Sequence, residues 1–337
     1  MVVLLNIRRI KILGTGIYLP SQEITAEEID QKLGTQPGWT RKKVGVLKRH
    51  FVKQETNSQM GALAAKEALA DANLQLEEID CIVSASGTTE QAIPCTAALI
   101  YKELAPQHQG IPAFDLDSTC LSFITALDHL SYLIEAKRYR YLLLVSTEIA
   151  SIGLNWQHKE SSALFGDGAA AVVIGYDEEG TSKILASRME TYHQGAHLSE
   201  IRGGGTKYHP RTYKNGNLNL NDFLFEMDGQ ALYRLSARYL PRFLKRLLQS
   251  ADLRLQDVDL VIPHQASPGA MRLIQKRLKI QDQQMFSYAD QYGNMIAASI
   301  PLGIHLAAKQ KKIKRGDCIL LLGTSAGLSL GGILLVY

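Results

Sequence analysis

Residues 72–83, ANLQLEEIDCIV, and residues 251–262, ADLRLQDVDLVI, are two versions of one pattern. Each ends a helical segment, crosses a polar turn containing Asp, and enters an apolar run that reads as a strand buried on both faces. Downstream of each copy come a further helix and another buried strand, YLLLVST (141–147) in one half and CILLLGTS (318–325) in the other. A period of about half the chain is too long for a solenoid unit and marks duplication of a βαβ-type unit. The halves run from Met1 to about Gly175 and from about Tyr176 to Tyr337.

Working outward, IKILGTGIYLP (10–20), IPAFDLDS (111–118), AAAVVIG (169–175) and SLGGILLVY (329–337) also read as strands. Helical spacing of apolar residues covers 57–72, 121–136, 232–249, 268–278 and 296–311. The alternation predicts an α/β architecture. Thr191–Asn221, rich in Gly, Asn, His and Tyr, reads as a long irregular excursion.

The bulk numbers set limits. The 337 residues are 46% apolar and 21% charged, as expected of an ordinary globular chain. A net charge of +4 is too small to argue for nucleic acid, yet suits anionic partners such as phosphorylated cofactors or acidic carrier proteins. Cys81, Cys95, Cys120 and Cys318 lie far apart without metal-ligand spacing, which argues against a zinc site or a disulfide framework. Cys81 and Cys318 sit in apolar runs and read as buried. The opening MVVLLNIRRIKILG has too short an apolar run for a signal peptide, and no segment reaches the roughly 20 apolar residues of a membrane span. The expected location is cytoplasmic.

Three polar residues stand where chemistry collects in such folds. Cys120, in DLDSTCLSFITAL, lies between a strand and an apolar-periodic helix, where unpaired N–H groups and the macrodipole favour a thiolate. His264 closes the strand VIPHQAS at its C-terminal end, beyond which ligands gather in open α/β sheets. Asn294 lies in a Gly-containing turn before a helix, the counterpart of the Cys120 turn, although an Asn there also serves as a plain N-cap. Two other motifs mislead. GTGIYLP has Gly-x-Gly but opens no helix, and GTSAG (323–327) fits a hydrolase elbow with no Asp and His downstream to complete it. Its glycines point instead to backbone approaching a reacting group.

Taken together, DSTCLSF, LFGDGAAAVVI, VIPHQAS, YGNMIAASIPL and GTSAGLSLGG resemble, in order and through nearly the whole chain, the β-ketoacyl-[acyl-carrier-protein] synthase III family of the thiolase superfamily. The resemblance implies a duplicated five-layer α-β-α-β-α fold with mixed sheets, paired as a homodimer. It implies a decarboxylative condensation of an acyl-CoA primer with malonyl-acyl-carrier-protein, with no cofactor beyond the coenzyme A thioester itself. By motif matching, Cys120 takes the nucleophile's place, and His264 and Asn294 take those of the decarboxylation pair. The backbone N–H groups of Cys120 and Ala326 take the oxyanion-binding places. Trp39 matches an aromatic that stacks on the adenine of coenzyme A, and Lys43 and Lys159 replace arginines beside it. Ser267 stands where many members have Asn, Gly269 where a basic residue often helps dock the carrier, and Ile93 where an aromatic caps the partner's acyl pocket. The residues alone leave open a transfer of the acyl group to an alcohol, an amine or water, and a non-catalytic partner subunit.

Overall fold

A computed structural model describes residues 7–104, 110–213 and 218–337. The apolar start (1–6) and positions 214–217 of the irregular stretch lie outside the described residues.

Two mixed sheets repeat one strand order. The first contains β1 (Ile10–Tyr18), β2 (Cys81–Ser84), β3 (Ala113–Asp115), β4 (Tyr141–Glu148) and β5 (Gly168–Tyr176), in the order β1-β5-β4-β2-β3. The second contains β6 (Lys183–Thr191), β7 (Leu260–Pro263), β8 (Cys318–Ser325) and β9 (Ser329–Val336), in the order β6-β9-β8-β7. In each sheet two antiparallel pairs are followed by a parallel one, and the first sheet adds a second parallel pair, β2 with β3. Where β3 would continue the second sheet, an isolated parallel bridge joins Val261 to Met285. The copies agree in turn geometry as well. Asn73 and Asp252 are both left-handed, at φ 53° and 54°. Asp80 accepts from Tyr141 N–H at 3.0 Å and Asp259 from Cys318 N–H at 2.8 Å.

Helices occupy three layers around these sheets. α1 (Asn57–Ala72) and α2 (Thr96–Leu104) cover the outer face of the first sheet, and α4 (Gly229–Ser250) and α5 (Pro268–Leu278) the outer face of the second. α3 (Ser122–Glu135) and α6 (Ser299–Lys309) lie between the sheets, in the core that unites both halves. Side-chain alternation along β4 explains its unbroken apolar run. Leu142 and Leu144 enter the central core, while Leu143 and Val145 enter the outer one under α1. Each such fully buried side chain stabilises by about 1.5–3 kcal/mol.

The Gly-x-Gly of β1 serves this packing. A Cβ on Gly16 would lie 2.3 Å from the Ala64 carbonyl oxygen, and one on Gly14 2.4 Å from that of Ala68, so α1 rests directly on the strand. β6 was absent from the strand reading because it is an edge strand in which Ile184 and Ala186 alternate with half-exposed neighbours. Cys81 is enclosed, whereas Cys318, expected to be buried, opens its strand and is half-buried. Among the described residues, no helix is long and apolar enough to cross a membrane.

Candidate active site

Cys120 sits in a 3-10 turn, Thr119–Leu121, immediately before α3. Its counterpart in the second half is the 3-10 turn Ile296–Ala298, immediately before α6. The turns meet across Gly87, where a Cβ would lie 2.8 Å from Ile296 Cγ2 and 3.2 Å from Thr119 Cα. Both open on a β-branched residue with positive φ, Thr119 at 50° and Ile296 at 46°. Such conformations cost on the order of 1–3 kcal/mol each and persist only where the surroundings impose them. In this correspondence Cys120 matches Ala297, and Asn294 stands just before the turn.

His264 follows β7, and its N–H donates to the Leu322 carbonyl at 2.8 Å. A Cβ on Gly323 would lie 2.9 Å from Leu121 Cδ2 and 3.0 Å from His264 Cβ, so the histidine and the Cys120 turn converge on that glycine. Asn294 is held at both ends. Its N–H donates to the Leu164 carbonyl at 2.8 Å, and its carbonyl accepts from Gly166 N–H at 3.1 Å. Its Oδ1 accepts from Ile296 N–H at 2.9 Å, and its Nδ2 donates to the Ala266 carbonyl at 3.2 Å. Oxygen facing a donor and nitrogen facing an acceptor fix the amide's orientation, leaving one N–H uncommitted among these bonds. The backbone N–H groups of Ala326 and of Cys120 itself lie close enough to the Cys120 sulfur to favour its thiolate.

The electrostatics depart from the sequence reading at one point. Burial, followed by the charge of Glu148, pushes the Cys120 thiol up to about 12, with the two N–H groups opposing. A helix terminus contributes about 0.3–1 kcal/mol at an exposed site and up to about 2 kcal/mol at a partly buried one. At Cys120 the two influences oppose each other: the position before α3 favours a thiolate, and removal from water favours the thiol. Burial also lowers His264 to about 4, against a hydrogen bond with the Ile296 backbone, so the imidazole is neutral. Its Nδ1 has no protein partner.

Glu148, which the sequence reading passed over, ends β4 and is fully buried. Its carboxylate accepts from Gly87 N–H at 2.7 Å, Thr88 N–H at 2.9 Å, Thr88 Oγ1 at 2.8 Å and Ala297 N–H at 3.2 Å. Burial pushes it up to about 8 while these donors pull it down. An acid closing an apolar strand was the available signal, in the same kind of position as His264.

The remaining candidates lie around this centre. Trp39 is half-buried beside Phe51 and Trp156 and begins the turn Thr40–Val44, on which Lys43 is exposed. Gly45 ends that turn, and a Cβ there would lie 3.1 Å from Pro268, the neighbour of Ser267. The Ser267 hydroxyl caps α5, accepting from Ala270 N–H at 3.1 Å. Lys159 is exposed at the start of the short helix Lys159–Ser162. Ile93 stands apart, 85% exposed.

The profile of 3-oxoacyl-[acyl-carrier-protein (ACP)] synthase III matches residues 114–193, and that of its C-terminal part matches residues 248–337. A β-ketoacyl-[acyl-carrier-protein] synthase III of Aquifex aeolicus is 34% identical over 327 residues, 97% of this chain and 99% of the relative. The crystal structure of the 3-oxoacyl-[acyl-carrier-protein] synthase III from Aquifex aeolicus superposes with a TM-score of 0.87, covering 97% of this chain and 100% of the other. One from Pseudomonas aeruginosa does so at 0.86 with 27% identity, covering 98% of each. The architecture is that of the thiolase-like condensing enzymes. Among these, the chain belongs to the β-ketoacyl-[acyl-carrier-protein] synthase III family and has its condensing activity.

A raised thiol pKa predicts that iodoacetamide alkylation of Cys120, scored as the mass increment missing from Cys120→Ala, climbs from neutral pH to beyond pH about 10. Glu148→Gln removes a neighbouring negative charge and moves the curve to lower pH. A wild-type plateau below pH about 8 would show that the position before α3, not removal from water, prevails.

Proposed function

We propose that the enzyme condenses an acyl group from acyl-coenzyme A with malonyl-acyl-carrier-protein, giving 3-oxoacyl-carrier-protein, coenzyme A and CO₂. In the first stage the Cys120 sulfur bonds to the thioester carbonyl carbon. The coenzyme A sulfur leaves and takes up the proton Cys120 gave up. The Cys120 and Ala326 N–H groups hold the transient oxyanion. In the second stage the malonyl thioester loses CO₂, and the electron pair left behind is delocalised onto the thioester oxygen. Neutral His264 and the Asn294 amide donate to that oxygen. The enolate carbon then bonds to the acyl carbon, and Cys120 departs and regains a proton. No other cofactor enters.

The observation that carries this reading is the fixed Asn294 amide beside a neutral, buried His264 at the Cys120 turn. Donors held in place need no reorganisation as charge develops, and losing one costs about 10²–10³-fold in rate. His264→Ala and Asn294→Ala are each expected to slow CO₂ release by about that factor while the acyl adduct still forms on Cys120. The adducts accumulating on His264→Ala from a panel of acyl-CoAs identify the primer. Cys120→Ala condensing at the wild-type rate would end this reading.

Trp39, Lys43, Lys159 and Ser267 are assigned to the coenzyme A side, which their mutually packed segments support. Lysines there attract phosphates as point charges without the planar fork of arginine. For the carrier we favour the outer face of α4 and α5. Arg234, Arg238, Arg242 and Lys245 form an exposed stripe on α4, Lys276 and Arg277 extend it on α5, and neither helix carries an acid. Charge reversal in R238E/R242E should raise KM for malonyl-acyl-carrier-protein, most at low salt, and leave loading from acyl-CoA unchanged. An unchanged KM would remove this face from consideration.

Residues 1–175 and 176–337 are assigned as the two thiolase-like halves, supported by the repeated strand order. A homodimer is assigned because Ile93 is 85% exposed where a partner's acyl pocket would take it. Light scattering on Ile93→Asp should find single chains, and an unaltered dimer would discount that contact. A cytoplasmic setting accompanies carrier-protein substrates.

A further inference from the structure

Thr119 is the residue before the nucleophile, and it is held in the left-handed region at φ 50°. Two side chains of its own half, Asp117 and Ser122, fail to account for this. Asp117 Oδ1 accepts its N–H at 2.6 Å, Ser122 Oγ donates to its carbonyl at 2.7 Å, and Ser122 Oγ also accepts from Ser118 N–H at 2.9 Å. These bonds pin the backbone on either side but leave the Thr119 side chain free to choose another conformation.

The side chain is fixed from the other half of the molecule. Ser325, only 4% exposed, is the last residue of β8 and immediately precedes Ala326. Its hydroxyl bonds to the Thr119 hydroxyl, and each of the two lies 2.8 Å from the Ser118 carbonyl oxygen. With one proton per hydroxyl, one donates to the carbonyl and the other to its neighbour, a closed arrangement that leaves neither donor unsatisfied. Thr119 and Ser325 thus flank the two N–H groups close to the Cys120 sulfur.

We propose that Ser325 is a positioning residue for acyl transfer, holding Thr119 in its left-handed conformation from across the seam so that the Cys120 and Ala326 N–H groups aim at one point. This rests on the reading of those N–H groups as the oxyanion site. The hydroxyl touches no reacting atom. A shift of the Cys120 turn by a fraction of an ångström would separate the two donors, and misplacement of about 1 Å can cost about a hundredfold in rate. His264 and Asn294 are held by other bonds, to Leu322, Leu164, Gly166 and Ala266, so the decarboxylation stage is independent of Ser325.

The test is single-turnover loading of Cys120 by intact-protein mass, using whichever of acetyl- to decanoyl-CoA loads wild type fastest. S325A should load about ten- to a hundredfold more slowly, at an unchanged half-saturating acyl-CoA concentration. Pre-acylated S325A should decarboxylate malonyl-acyl-carrier-protein at the wild-type rate. Glycine adopts positive φ without strain, so T119G should dispense with the clamp, and T119G/S325A should load as fast as T119G. Wild-type loading by S325A, an equal loss in the decarboxylation stage, or a double variant slower than T119G would each overturn the proposal. If S325A does not fold, the comparison of T119G with T119G/S325A decides alone. A wild-type chain that loads no acyl group at all sinks the underlying reading, whatever the variants do.

Discussion

One buried carboxylate fastens the parts that have to meet. Glu148 takes hydrogen bonds from Gly87 and Thr88, on the loop beneath the Cys120 turn, and from Ala297, on the turn beyond Asn294. A carboxylate enclosed by four donors is costly to desolvate and costly to leave unpaired, so it tolerates no separation of those segments. When ionised, its charge also bears on Cys120, raising the thiol further, so the group that assembles the site also touches the reactivity of the sulfur. Construction and reactivity are coupled through this residue.

Burial sets the remaining chemistry. Removal from water favours the uncharged form of both residues, raising the Cys120 thiol and lowering the His264 imidazole. In the proposed reaction the thiol releases its proton in the course of transfer, and the imidazole N–H turns from the Ile296 backbone to the malonyl thioester oxygen.

Much of this was legible in the residues, wherever local rules governed. The bounds of α1 and α5 agree with the reading because their ends carry local signals. Thr56 and Gln59 form a capping box, Asn73 takes the left-handed cap, and Ser267 with Pro268 opens α5. His264 and Cys120 were found by their positions at strand ends. Asn294 was found by symmetry, although its true match in the turn is offset, with Ala297 opposite Cys120. What stayed hidden was decided by distant partners. Glu148 meets Ala297 and Thr119 meets Ser325 only after the sheets dock, and the protonation of Cys120 depends on an enclosure that no local pattern reveals. Ser325 is the serine of GTSAG, and nothing nearby in sequence hints at its bond to Thr119.

The duplicated turns carry a consequence for how the molecule matures. Each copy owns the local punctuation for its strands and helices, down to the left-handed residues Asn73 and Asp252. Secondary structure can therefore form separately in each copy. The site belongs to neither, since its groups come from both sides of the join. Competence to accept an acyl group therefore requires the two copies to be joined, and no single copy carries it.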